Sequence, residues 1–167
     1  MTDNGIYNAA SALIQLASGE GITFGFAESL TGGMISSSVV EVPGASKAFK
    51  GSVVSYTTEV KENVLGVPSD VIEKHTEVSE ECAKAMAEGA CRVIGCDLAI
   101  SVTGIAGPTG DLPGKPVGTV YMGYCYSKKN ISGALRLNFT GDRDTIRSGT
   151  VLEALRYASG LIEKGEA

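Results

Sequence analysis

Between residues 22 and 42 the hydrophobic period of the chain changes abruptly. Ile22, Phe24 and Phe26 alternate with Thr23 and Gly25, the period of a strand, and Met34 to Val42 is an apolar stretch of helical character. The turn between them is Ala27-Glu28-Ser29-Leu30-Thr31-Gly32-Gly33. A strand, a tight turn and a helix in immediate succession point to an α/β fold, and the rest of the chain repeats the theme. Apolar spacing predicts a first helix over 4–18, ended by Gly19 and Gly21. A second strand is expected over 53–57, then short helices over 59–65 and 68–74, the latter with Pro68 in its first turn. Ser79 is placed to cap a helix that Gly95 stops, with Cys82, Ala85, Met86, Ala90 and Val93 on its inner face. A buried strand over 98–102 leads into residues 104–116, whose four glycines and three prolines make a loop. Strands over 117–126 and 134–140 form a hairpin about Lys128-Lys129-Asn130, and a last helix spans 142–162. The expectation is an α/β single-domain sandwich over residues 1–167, a mixed β-sheet covered by helices on its faces.

Composition narrows the chemistry. With 14 Lys+Arg against 19 Asp+Glu, a net charge of −5, the chain has no general electrostatic grip on nucleic acid or anionic lipid, so neither is expected as a direct partner. Any anion must be held locally. The single histidine, His75, followed by Thr76 and Glu77 at a helix end, reads as a surface or capping residue. It removes most Ser-His-Asp and Cys-His schemes and leaves no histidine pair for zinc; Asp142 and Asp144 read as complements to a helix macrodipole, with a magnesium site as the minor alternative, and no cofactor is expected. Cys82, Cys91, Cys96 and Cys125 form no C-x-x-C pair and read as free thiols. The start, Met1-Thr2-Asp3-Asn4, lacks a basic leader region and no apolar run reaches the length of a membrane span, so a cytoplasmic location is expected.

Three loops follow strands: residues 28–33, 56–61 and 103–108. In open α/β sheets ligands sit at the carboxyl ends of strands near a switch in strand order, so these loops are expected to converge on one pocket. Ser29 stands between strand and helix, where Gly32 and Gly33 admit close approach and first-turn N–H groups are free to hold an anion or an oxyanion. It is a candidate nucleophile; Ser29 or Thr31 also suits a plain helix cap. Without a histidine its base would be a lysine made neutral by burial, for which Lys61 is the candidate, although a lysine on a short helix is ordinarily solvated. Arg143 and Arg147 share one helical face and can fork onto a phosphate or carboxylate, or pair with Asp142, Asp144 or Glu153. Glu28 either orients a substrate or caps its own turn. Tyr121, Tyr124 and Tyr126 suit a dimer interface, and a homo-oligomer is expected; such tyrosines equally suit one half-buried sheet face.

The set Ala27 to Gly33, Tyr56 with Lys61, Val78-Ser79, Ser101-Val102-Thr103-Gly104-Ile105-Ala106-Gly107-Pro108, Lys115 to Val120 and Gly141-Asp142-Arg143 resembles the CinA C-terminal domain family, in order and spacing, from residue 4 to about 162. That family includes stand-alone nicotinamide mononucleotide deamidases. The resemblance implies metal-free hydrolysis of the carboxamide of nicotinamide mononucleotide to nicotinic acid mononucleotide and ammonia. It further implies Ser29 as nucleophile, Lys61 as base, Tyr56 ordering the proton path, Thr103 on the facing loop, and Arg143 on the substrate; the turn and helix spacing add Thr31, Gly32, Gly33, Gly104 and Arg147 to the expected binding set. Leu30 stands where the family commonly has Cys, and Thr57-Thr58 where it has Ser-Asn. The resemblance is to the C-terminal domain alone, and nothing belonging to the larger N-terminal domain of full-length members is carried over. Two other readings share these residues: a non-catalytic nucleotide-binding regulatory module, and an amidase for another small amide.

Overall fold

A computed structural model describes residues 3–165. Five strands, β1 (Phe24–Glu28), β2 (Phe49–Val54), β3 (Leu98–Gly104), β4 (Thr119–Tyr126) and β5 (Ile131–Asn138), form one open sheet in the order β2-β1-β3-β4-β5. β2, β1 and β3 run parallel, and β3, β4 and β5 antiparallel, so the sheet is mixed as expected. The helices are α1 (Asn4–Glu20), α2 (Met34–Val40), α3 (Thr58–Asn63), α4 (Ser69–His75), α5 (Glu80–Ile94) and α6 (Arg143–Lys164).

The period-2 alternation sorts the strand residues between two cores. Phe24 and Phe26, Leu98, Ile100 and Val102, and Val120 and Met122 pack with α1, α2 and α6 on one face. The other face is built from smaller residues, among them Ala27 and Ala99, which pack with Cys82, Met86 and Ala90 of α5. Gly123 belongs to this second face and lets α5 settle directly onto the sheet: a Cβ there would stand 2.1 Å from the Ala83 carbonyl oxygen. The same carbonyl accepts the Ser101 hydroxyl.

Helix ends follow the cap chemistry of the sequence. Ser79 accepts from the Cys82 N–H, Asp142 from the Thr145 N–H, and Gly95 closes α5 in the left-handed region at φ 71°. The hairpin turns at the expected place, with Asn130 left-handed at φ 54°. All four cysteines are free.

Three expectations need correction. β2 is Phe49–Val54 rather than 53–57. It is an edge strand whose Lys50, Gly51 and Ser52 mask its pattern, and the chain leaves the sheet after Val54 because Thr57 must cap α3, its Oγ1 accepting from the Val60 N–H. Val93 is 49% exposed rather than on the inner face of α5, whose buried side instead includes Ala83, Ala87 and Cys91. The three tyrosines do not share a face. Tyr121 is buried with Ala83 and Ile105 beneath α5, Tyr126 is buried in the opposite core, and Tyr124 packs there on Tyr157 with ring centroids 5.4 Å apart.

The close seat of α5 gives a stability test. Gly123→Ala forces a methyl into the Ala83 backbone and lowers stability by about 1–3 kcal/mol. Gly160→Ala meets open space inside α6 and raises it by about 0.5–1 kcal/mol. Urea midpoints of the two variants on either side of the parent check both signs.

Candidate active site

The carboxyl ends of β1 and β3 lie side by side in the sheet, and their connections diverge: the chain leaves β1 through α2 to β2, and returns to β3 through α3, α4 and α5. This is the strand-order switch at which α/β sheets bind ligands. A pocket of about 470 Å³ opens there, lined by Ser29 and Leu30 from the first loop, Tyr56 from the second, residues 104–107 from the third, and Arg143 from α6. The three loops converge as expected, joined by Thr76, Glu77 and Val78 between α4 and α5.

The turn that presents Ser29 is built around a buried carboxylate. Glu28, the last residue of β1, is fully buried. Its Oε1 accepts from Thr31 Oγ1 at 2.8 Å, the Gly33 N–H at 3.2 Å and the Ile35 N–H at 2.9 Å. Its Oε2 accepts from the N–H and hydroxyl of Ser36 and from Ser52 Oγ. The N-cap of α2 is Gly33, which has no side chain to offer, so Glu28 supplies the missing cap and places a negative charge on the positive end of the helix. Gly32 and Gly33, at φ 58° and 102°, make the left-handed bend that allows the chain to wrap the carboxylate. Ser29 N–H donates to the Val102 carbonyl at 3.1 Å, tying the turn to β3. Arg147 donates from Nε to the Leu30 carbonyl at 2.9 Å and from Nη2 to the Thr31 carbonyl at 3.1 Å, tying it to α6.

Lys61 reaches the same point from α3 and is fully buried. Its Nζ lies 3.0 Å from Ser29 Oγ, 2.8 Å from the Ser55 carbonyl oxygen and 3.0 Å from the Tyr56 carbonyl oxygen. Ser55 N–H in turn donates to the Glu28 carbonyl at 2.8 Å, so amine and hydroxyl are referred to one backbone frame. Burial pushes the Lys61 pKa below its ordinary 10.5, against a smaller opposing pull from the Glu77 carboxylate. In the neutral amine, two N–H bonds satisfy the two carbonyls and the lone pair is left for the Ser29 hydroxyl proton. Cys82, nearby, is pushed up to about 11 by burial and stays a thiol at neutral pH.

Several expected binding residues are committed elsewhere. Thr31 gives its hydroxyl to Glu28, and Thr103, buried, gives its own to the Glu77 carbonyl at 2.9 Å. Arg147 is spent on the turn's carbonyls and does not pair with Arg143 as a ligand fork. The first turn of α2 holds no free anion site, because Glu28 occupies it. The Gly32 N–H donates to the Ser29 carbonyl and the Gly33 N–H to Glu28. The N–H groups of Leu30 and Thr31 take no partner among the described residues. Tyr56 holds the lysine through its backbone carbonyl, and the residue, 58% exposed, lines the pocket. Gly104 lines the pocket, and Arg143 lines it while donating from Nη1 to the Gly107 carbonyl at 2.7 Å. Asp142 caps α6. No group of three or more His, Cys, Asp or Glu is arranged to hold a metal among the described residues, and no helix there is long and apolar enough to cross a membrane.

Two features were not read from the sequence. The Ser55 carbonyl carries no side-chain signal, and the Glu77 segment enters the pocket from a connection between helices rather than from a strand end. Of the two roles the sequence left open for Glu28, the structure shows the cap, with the Gly33, Ile35 and Ser36 N–H groups donating to it.

The chain's relatives agree with this architecture. The family model described as the CinA C-terminal domain matches residues 7–162. A CinA-like protein of Thermotoga maritima is 49% identical over 133 residues, 80% of this chain and 32% of that protein. The chain spans about a third of the length of the curated relatives it matches. Among solved structures, the competence/damage inducible protein CihA from Agrobacterium tumefaciens is 31% identical with a TM-score of 0.93, covering 96% of this chain and 98% of that one. A competence-damaged protein (CinA) superfamily protein from Escherichia coli is 30% identical with a TM-score of 0.88, covering 98% and 93%. From residue 7 to residue 162, the chain belongs to the CinA C-terminal domain family.

Proposed function

We propose that the chain is a Ser-Lys amidohydrolase that converts nicotinamide mononucleotide to nicotinic acid mononucleotide and ammonia. The observation that carries this reading is the 3.0 Å approach of a fully buried lysine amine to the Ser29 hydroxyl, with two backbone carbonyls taking up its other hydrogens. A lysine so placed has little use as a surface charge and is equipped as a base.

The reaction follows from the geometry. Ser29 Oγ attacks the carboxamide carbon as its proton passes to Lys61 Nζ. The Leu30 and Thr31 N–H groups face the oxyanion, the first of them being the position directly after the nucleophile that serves this purpose in other serine hydrolases. The ammonium of Lys61 returns the proton to the amide nitrogen, the C–N bond breaks and ammonia leaves. Water then attacks the acyl-serine, giving its proton to Lys61, and the acid departs as Ser29 regains its hydrogen. Leu30, Ile105, Ala106 and Leu112 offer apolar wall to a planar ring, and Arg143 offers the cation for a phosphate. The buried Ser29–Lys61 contact favours this reading over a non-catalytic nucleotide sensor, which needs no such pair.

Ser29→Ala removes ammonia release by about 10⁴-fold or more while leaving circular dichroism and nucleotide binding intact, and Lys61→Arg is nearly as damaging because a guanidinium does not serve as the base. Release of ammonia near the parent rate by either variant contradicts the mechanism. The phosphate assignment is checked by steady-state kinetics on nicotinamide, its riboside and its mononucleotide. The parent prefers the mononucleotide, and Arg143→Ala raises KM for it by about tenfold or more with little change for the riboside. Equal loss on riboside and mononucleotide removes Arg143 from the phosphate, and preference for an unrelated small amide moves the substrate class.

A further inference from the structure

Two side chains of opposite charge line the pocket without meeting. Arg143 makes its one hydrogen bond to the Gly107 carbonyl and no ion pair among the described residues. Glu77, half-buried between α4 and α5, has its backbone fixed by the Thr103 hydroxyl, yet its carboxylate takes no hydrogen bond and no ion pair among the described residues. Glu77 lines the same pocket as Ser29, and its backbone is held by the residue next to Gly104 of that pocket's wall. Alone it is a liability. A carboxylate partly withdrawn from water without a partner is costly, and here it favours the charged form of the very amine that the chemistry needs neutral.

A ligand that brings its own positive charge to this pocket relieves both problems, because it compensates Glu77 and cancels the pull on Lys61. We infer that Glu77 is a specificity-determining residue that selects carboxamides on a ring bearing a fixed positive charge, while Arg143 takes the anionic group of the same molecule. The inference rests on the amidohydrolase reading above and sharpens it: the site is matched to a zwitterion with its cation beside the scissile amide, and a neutral ring with the same amide and phosphate fits less well.

The test separates ring charge from everything else. In the Ser29→Ala protein, which holds ligand without turnover, titration calorimetry compares nicotinamide mononucleotide with its reduced dihydro form, which keeps the amide, ribose and phosphate but has a neutral ring. The cationic form binds more tightly, by about fivefold or more, as expected for one partly exposed charge pair. Adding Glu77→Gln weakens the cationic form by about the same factor and leaves the neutral form within about twofold, so the discrimination collapses. Unchanged discrimination in the double variant, or equal loss for both ligands, overturns the role of Glu77. If the folded Ser29→Ala protein binds neither nucleotide, the substrate reading itself fails and this inference falls with it. Ammonia release by the parent, together with unaltered discrimination on Glu77→Gln, overturns this inference alone.

Discussion

Lys61 and Glu28 are the two buried members of the Asp, Glu, Lys and Arg residues described, and they stand on either side of Ser29 without pairing with each other. The separation of these two groups is what the site depends on. An ion pair between them would hold the lysine charged and, in the mechanism proposed above, deprive the serine of a base. Instead each has its own neutral partners, chosen to suit opposite charge states. Glu28 receives hydrogen bonds from Thr31, Gly33, Ile35, Ser36 and Ser52, an environment of donors alone that suits a carboxylate. Lys61 meets two carbonyl oxygens and one hydroxyl, an environment that satisfies an amine without a counter-ion. Burial then does the rest, because a charged ammonium withdrawn from water without a carboxylate is expensive and a neutral one is not.

This division also reassigns the helix terminus beside Ser29. A free α2 N-terminus would be a ready anion site, but its first-turn N–H groups are spent on Glu28, and the turn's outward carbonyls are spent on Arg147. The elements that look most like ligand-binding equipment therefore fix the position of Ser29, and of the turn's N–H groups those of Leu30 and Thr31 stay without a partner among the described residues. In the proposed mechanism such fixing has a catalytic value of its own, since a nucleophile and base held at contact distance before substrate arrives need no reorganisation during the reaction.

The fold was legible because period-2 and helical spacing, glycine stops and Ser or Asp caps all act locally, as at Phe24 and Phe26, Ser79, Gly95 and Asp142. β2 was displaced because an edge strand with one exposed face loses the apolar alternation that marks the central strands. Within the site, residue type and spacing identified Ser29, Lys61 and Arg143 as chemistry-bearing, but they do not say where a hydroxyl or guanidinium points. Thr31, Thr103 and Arg147 have the donors a substrate wants and give them to the backbone or to Glu28. Between a buried and a solvated Lys61 the sequence could not decide, because the burial is produced by distant packing: α3 leads into Leu65 and Val67, which are buried against α5 and the small-residue face of the sheet.

The central claim is that Lys61 reaches its neutral form more readily than an ordinary lysine, and it is tested most directly by an NMR titration of the Lys61 side chain, followed at its labelled ε-carbon and ζ-nitrogen and assigned with Lys61→Met. Because burial disfavours the ammonium, the proton leaves on raising the pH at a midpoint clearly below 10.5, and the fraction of competent base grows through that window. A side chain that stays protonated up to an ordinary lysine midpoint or beyond contradicts the account, since an ammonium has no lone pair to take the Ser29 proton.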